Sequence, residues 1–142
     1  MKKNITKKEF QVPSALSEVE KAGRRVLSFL KPLALSEAVL FDVRLCLEEA
    51  LINAIKYGNK LKREIVVRLA VEYDRDELRI WVEDAGEGFN PKSLKRCTQG
   101  DNLLRGSGRG VYLIHQLMDQ VAYNDKGNGL LMKKTFKRAS VS

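Results

Sequence analysis

The sequence predicts an α+β fold: a two-layer α/β sandwich with helices on one face of a mixed, mostly antiparallel sheet. Two observations lead there. Apolar residues recur at helical spacing in three separate stretches, and they alternate along several short segments joined by turn-forming residues. A chain of 142 residues, 44% hydrophobic and 31% charged, is long enough for one domain with a real core and is not composed like a disordered one. It shows no internal repeat, so residues 1–142 are read as a single domain.

Residues 4 to 12 read as a strand closed by Pro13. Ser14 then stands as the N-cap of a helix through SALSEVEKAGRRVLSFLK, with Leu16, Val19, Ala22, Val26 and Phe29 near helical spacing and Pro32 at its end. Ser36 caps a second helix that runs to about Tyr57 and is stopped by Gly58. Ile65, Val67, Leu69, Val71 and Tyr73 alternate with their neighbours, as do Leu78, Ile80 and Val82, and DRDE makes the pair a hairpin. From Gly86 to about Gly110 no period is apparent, and a loop this long inside a compact domain tends to be functional. Val111, Ile114, Leu117 and Met118 then mark one side of a third helix, and VAYN and LLMKKTF, joined by DKGNG, form a closing hairpin.

The composition narrows the function classes. No apolar run approaches the roughly 20 residues of a membrane helix. The basic start MKKNITKKEF lacks the apolar segment of a secretory leader, which leaves the cytoplasm as the expected location. Cys46 and Cys97 stand 51 residues apart without metal-site spacing, and the single His115 has no Cys or His neighbours. The net charge of +8 raises nucleic-acid binding as a class. Its densest basic groups lie at the two ends, KKNITKK and KKTFKR, with no zinc-finger or RNA-recognition pattern; a solvated surface or a patch for an acidic protein partner is the better reading.

Chemistry concentrates in three places. On a wheel of about 100° per residue, the second helix is apolar around most of its circumference, which predicts burial nearly all round. Asp42, Glu49, Asn53 and Lys56 are its clustered exceptions, within a sector of roughly 60°. Arg44 and Glu48 lie elsewhere at i and i+4, where they can pair. Glu49 therefore shares its face with Asn53, a carboxylate suited to general-base work beside an amide suited to a hard cation. The same stripe also reads as a solvated face. In EDAGEGF, Asp84 ends a strand and Gly86 and Gly88 follow, where an aspartate can accept from a ligand amine and backbone can approach closely; strand-to-turn junctions often carry such residues without a ligand. In RGSGRGVYLI, Gly106, Gly108 and Gly110 open onto a helix whose free N–H groups favour phosphate, with Arg105 and Arg109 adding charge. There is no preceding strand and no GK[ST], so this is neither a dinucleotide fingerprint nor a P-loop. An ordinary flexible linker would look alike.

In order, the three read E-x3-N, D-x-G-x-G and G-x-G-x-G opening a helix. This resembles the Bergerat-fold ATPases, the superfamily of gyrase, heat-shock chaperone ATPases, histidine kinases and mismatch-repair ATPases. It is most similar to the single-domain anti-sigma-factor serine kinases of bacteria. EEALINAIKYGN resembles their N box, VEDAGEGFNP the first glycine box and GSGRGVYLIHQLMDQV the second, and the likeness runs from the first strand to KKTF.

That resemblance implies ATP and Mg2+ as cofactors. It implies Glu49 as the base that deprotonates a substrate serine, Asn53 as the Mg2+ ligand, and Asp84 as the reader of adenine in a pocket shaped by Gly86 and Gly88. Gly106, Gly108 and Gly110 then belong to a phosphate lid at about 86–110, with Arg105 reaching the terminal phosphate. The implied partners are an anti-sigma-factor antagonist carrying the acceptor serine, a sigma factor, and a second copy in a homodimer, with no direct nucleic acid and no membrane. A non-catalytic, nucleotide-binding switch or scaffold is the alternative. One departure stands out: the family often has a Gly-Thr pair before its last strand, where this chain reads GNGLLMKK, so water or Asn128 would serve Asp84 instead.

Overall fold

The computed structural model describes residues 4–86 and 106–136, with side chains in the second span from Gly110 onward. In chain order the elements are β1 (Thr6–Pro13), α1 (Val19–Phe29), α2 (Glu37–Asn53), β2 (Val66–Tyr73), β3 (Glu77–Glu83), α3 (Gly106–Leu117), β4 (Gln120–Tyr123) and β5 (Gly129–Thr135). Short 3-10 turns at Leu16–Glu18 and Lys31–Leu33 flank α1.

The strands form one sheet in the order β1-β2-β3-β5-β4. The mostly antiparallel sheet expected from the sequence is antiparallel at all four pairings. Alternation along β2 and β3 follows from the pleat: Val67, Leu69, Val71, Leu78, Ile80 and Val82 are buried, while Arg68, Arg79, Trp81 and Glu83 take the other face. The helices supply the opposing layer through Val26, Leu30, Val43, Leu47, Leu51, Ile55 and Ile114, all at or near zero exposure. A fully buried Leu or Ile of this kind contributes about 1.5–3 kcal/mol, so this single apolar layer carries most of the fold.

The β2–β3 turn is built by Asp74, whose Oδ1 accepts from the backbone N–H of Asp76 at 2.8 Å and of Glu77 at 2.9 Å. Arg79 clamps the same turn, 3.3 Å from Asp74 and 2.7 Å from both Glu72 and Glu77. At the far end of the sheet, Asn124 Oδ1 accepts from the N–H groups of Gly127, Asn128 and Gly129, while Gly127 supplies the φ of 82° that the turn needs.

Three local expectations are corrected. Ser14 does not cap α1: it is buried, its hydroxyl donates to the Ile65 carbonyl, and Asn59 Nδ2 donates to it at 2.9 Å. α2 does not run as α-helix to Tyr57. Ser36 caps it as expected, accepting from Val39 N–H at 3.2 Å, but from Ala54 to Gly58 the chain widens into a π-turn. Nor is α2 buried all round. Phe41 is 66% exposed, and Leu40, Leu45 and Ile52 are half-buried. A two-layer sandwich has nothing beyond the helical layer to cover its outer rim.

Candidate active site

α2 carries the centre of the site. Arg44 and Glu48 form the expected ion pair at 3.5 Å. Asp42 turns out to be structural as well: it lies 3.9 Å from Lys134 Nζ, which also donates to the Leu117 carbonyl at 2.6 Å and so caps the end of α3. Lys56 is exposed, with its ammonium over the Tyr57 ring at 5.4 Å. The polar stripe on the wheel thus divides, and Glu49 and Asn53 are what remains at its centre. Both are half-buried, and neither side chain makes a hydrogen bond or ion pair among the described residues. A stripe that only faced solvent would be more exposed than this. Burial, and secondarily the neighbouring Glu48 charge, pushes the Glu49 carboxyl above the usual range, which makes it a stronger base.

α3 closes over this pair. The sequence places Gly106, Gly108 and Gly110 in a loop ahead of the helix, whereas the structure places all three inside its first five residues. Glycine costs about 1 kcal/mol relative to alanine in a helix interior, and at Gly110 the reason for accepting it is visible. A Cβ there would sit 2.6 Å from Glu49 Oε2 and 3.3 Å from Asn53 Nδ2. Gly110 therefore brings the glycine-rich helix start, the Glu49 carboxylate and the Asn53 amide together at one point. Gly88, Arg105 and the rest of the expected lid lie outside the described residues.

Asp84 sits where the π-turn meets the end of β3. Its Oδ1 accepts from Gly86 N–H at 2.8 Å. Gly58, which the sequence marks only as a helix stop, proves to be a contact residue: a Cβ on it would lie 2.2 Å from the Asp84 carboxyl carbon. Gly86 is equally constrained, its Cβ position being 2.4 Å from the Gly58 carbonyl oxygen. Burial raises the Asp84 carboxyl above the ordinary value, partly offset by the Gly86 N–H. Asn128 meets the main chain of Asp84 rather than its carboxylate. Its carbonyl accepts from Asp84 N–H at 2.9 Å and its Nδ2 donates to the Asp84 carbonyl at 2.7 Å. Asn59, not singled out in the sequence, accepts from Ala85 N–H at 2.8 Å. The GN that closes the N box is the signal available in the sequence, but an amide buried by contacts distant in sequence leaves no period to read.

No group of three or more His, Cys, Asp or Glu that could hold a metal is present among the described residues. An amide oxygen beside a glycine-rich helix start fits Mg2+, which is commonly held by one or two protein oxygens together with substrate phosphates.

An antiparallel sheet under one helical layer, with an acid–amide pair meeting a glycine-rich helix start and an aspartate wedged between glycines, defines a Bergerat-type ATPase domain. The chain belongs to the histidine kinase-like ATPase domain family, whose pattern matches residues 12–134. It is 32% identical over 108 residues to the serine-protein kinase RsbW of Staphylococcus epidermidis, covering 70% of this chain and 68% of that protein. The RsbW kinase of Staphylococcus aureus (strain MRSA252) is 30% identical over the same length. Among solved structures, a chain of the SiaB-SiaC complex from Pseudomonas aeruginosa matches with a TM-score of 0.64 at 17% identity, over 91% of this chain and 88% of that one. The RsbU and RsbW domains of Rv1364c from Mycobacterium tuberculosis match with a TM-score of 0.59 at 14% identity, over 93% of this chain and 32% of that longer one. At these identities the two structures speak for the fold alone. No helix among the described residues is long and apolar enough to cross a membrane.

Proposed function

We propose that the chain is an ATP- and Mg2+-dependent protein serine kinase of the cytoplasm, acting as an anti-sigma factor in a partner-switching pathway. Its substrate is a serine on a small antagonist protein, and phosphorylation there decides which partner the kinase holds. The observation that carries this reading is the half-buried Glu49, without an ion pair among the described residues, beside Asn53 and Gly110. A protein that only bound nucleotide would have no use for a base at that place. Kinship with the RsbW kinases supports the substrate class.

In this reading Asp84 accepts a hydrogen bond from the adenine amine, and the Gly106–Gly110 turn of α3 directs backbone N–H groups at phosphate. The amide oxygen of Asn53 is the protein ligand for Mg2+, which when bound supplies neutralisation of the phosphate charge. Glu49 accepts the proton of the seryl hydroxyl as its oxygen takes the terminal phosphoryl group and ADP leaves. Phosphoryl transfer needs positioning and charge neutralisation above all, and these groups supply both.

The test is transfer from labelled ATP to an antagonist protein of the same host. Glu49→Gln should lower the transfer rate by about 10²–10⁴-fold while ATP still binds. Transfer at the wild-type rate would remove Glu49 from the role. ATP binding by the wild type with no transfer to any antagonist would favour the non-catalytic switch.

A further inference from the structure

We propose that Asn59 is a positioning residue for base selection: without reaching the nucleotide, it fixes the turn that presents Asp84 to adenine. This rests on the kinase reading above only in that Asp84 reads the base.

Asn59 is 3% exposed, and its side chain bridges three parts of the chain. Oδ1 accepts from Ala85 N–H at 2.8 Å. Nδ2 donates to Ser14 Oγ at 2.9 Å and lies within 3.5 Å of the Ile65 and Val66 carbonyls. Ser14 in turn donates to Ile65. The link therefore runs from the β1–α1 junction through the end of the π-turn to the residue that follows Asp84. The chain around Asn59 is shaped to hold it. Lys60 and Leu61 are consecutive non-glycine residues at φ 53° and 61°, a rare left-handed pair, and Leu61 N–H reaches back to the Ile55 carbonyl at 2.8 Å. Asn59 N–H is itself taken by the Ala54 carbonyl at 2.8 Å.

Two asparagines thus hold the turn from opposite sides. Asn128 fixes the main chain of Asp84 itself, and Asn59 fixes Ala85, whose own side chain is exposed. Without the Asn59 bond the turn is held through Asn128 and the Gly58 and Gly86 contacts only, and the aim of the Asp84 carboxylate loosens. The consequence is selective. Adenine offers an amine where guanine offers a carbonyl oxygen, so a well-aimed carboxylate favours one and repels the other. Phosphate contacts, which do not depend on the turn, are the same for both nucleotides.

The experiment measures equilibrium binding of ATP and GTP, with chemical denaturation alongside, for wild type, Asn59→Leu, Asn59→Asp and Ser14→Ala. Asn59→Leu should weaken ATP about tenfold and leave GTP nearly unchanged, about the effect of one well-placed hydrogen bond. Asn59→Asp keeps the acceptor for Ala85 N–H, and Ser14→Ala leaves that bond untouched. Both should lose stability yet preserve the wild-type ratio of ATP to GTP affinity. If Asn59→Leu does not fold, Ala85→Pro deletes the same N–H from the other side and should show the same loss of preference. Retention of the ratio in Asn59→Leu, or in Ala85→Pro where that stands in, overturns the proposal. So does its equal loss in Ser14→Ala. A wild type that does not discriminate ATP from GTP overturns the adenine reading beneath it as well, which separates the two failures.

Discussion

Replacing Gly110 with alanine should separate stability from activity. The added Cβ would lie 2.6 Å from Glu49 Oε2, about 0.8 Å inside the 3.4 Å at which ordinary contact begins. Its other near neighbour, Asn53 Nδ2 at 3.3 Å, needs to give by only a few tenths of an ångström. Both are ends of side chains, and Gly110 is not among the residues of positive φ, so alanine fits the backbone. Helix propensity gains about 1 kcal/mol, and pushing the Glu49 carboxylate off its rotamer costs about 0.5–1.5 kcal/mol. Net stability should therefore stay within about 1 kcal/mol of wild type. Activity should not. A displacement near 1 Å in a reacting group is worth about 10²-fold in rate. Urea denaturation paired with single-turnover transfer from ATP to the antagonist reads both quantities. A variant that transfers at the wild-type rate would show that Gly110 and Glu49 do not meet as described; one that unfolds by several kcal/mol would show that backbone, not the carboxylate, fills that space.

Other consequences follow from the same coordinates. Because burial and Glu48 raise the Glu49 carboxyl, single-turnover transfer should fall on the acid side at a pH above the range of an ordinary carboxylate, and Glu48→Gln should move that limb downward. An acid limb unchanged by Glu48→Gln would remove Glu48 from that account. Asp74 behaves in the opposite sense. The N–H of Asp76, with help from Glu77 N–H and Arg79, holds its carboxyl below the usual range. Its contribution is thus present at neutral pH and lost as pH falls through that lowered value. Asp74→Ala should cost about 2–3 kcal/mol at neutral pH in urea denaturation, and the gap to wild type should close in acid. Cys46 is buried and its thiol pushed up to about 12, first by burial and then by Asp42. In a Cys97→Ser background an alkylating reagent should leave it unlabelled until the protein unfolds; rapid native-state labelling would contradict its burial.

What could be read in advance is what burial imprints locally. β2 and β3 alternate because one face must meet the helices, and that period is visible in seven or eight residues. Helical phase separated Glu48 from Glu49 for the same reason, and the Arg44 pair at 3.5 Å agrees with it. Phase could not tell that Asp42, on the same stripe as Glu49, would go to Lys134 on β5, because that partner is 92 residues away. Ser14 looked like a cap and is a buried link to Ile65; Gly58 looked like a stop and is a seat for Asp84. In each case a local rule offered a sufficient role, and a contact between distant segments overrode it.

The acids of this domain then sort by company. Several that hold the fold are matched to a cation, Glu48 to Arg44, Glu18 to Arg63 at 3.1 Å, Asp74 to Arg79 and Asp42 to Lys134, while Asp119 accepts from the N–H and hydroxyl of Thr135. Glu49 and Asp84 have no ion pair among the described residues; each lies instead against a glycine, Gly110 or Gly58, in the space a Cβ would fill. Backbone packed that closely removes water without supplying charge, and both carboxyls are raised in consequence. A carboxylate desolvated in this way gains from any proton it can share, which is what a base facing a hydroxyl and an acceptor facing an amine both require. The glycines of the N box and of the second glycine box thus act on the electrostatics of the two acids as well as on the shape of the chain.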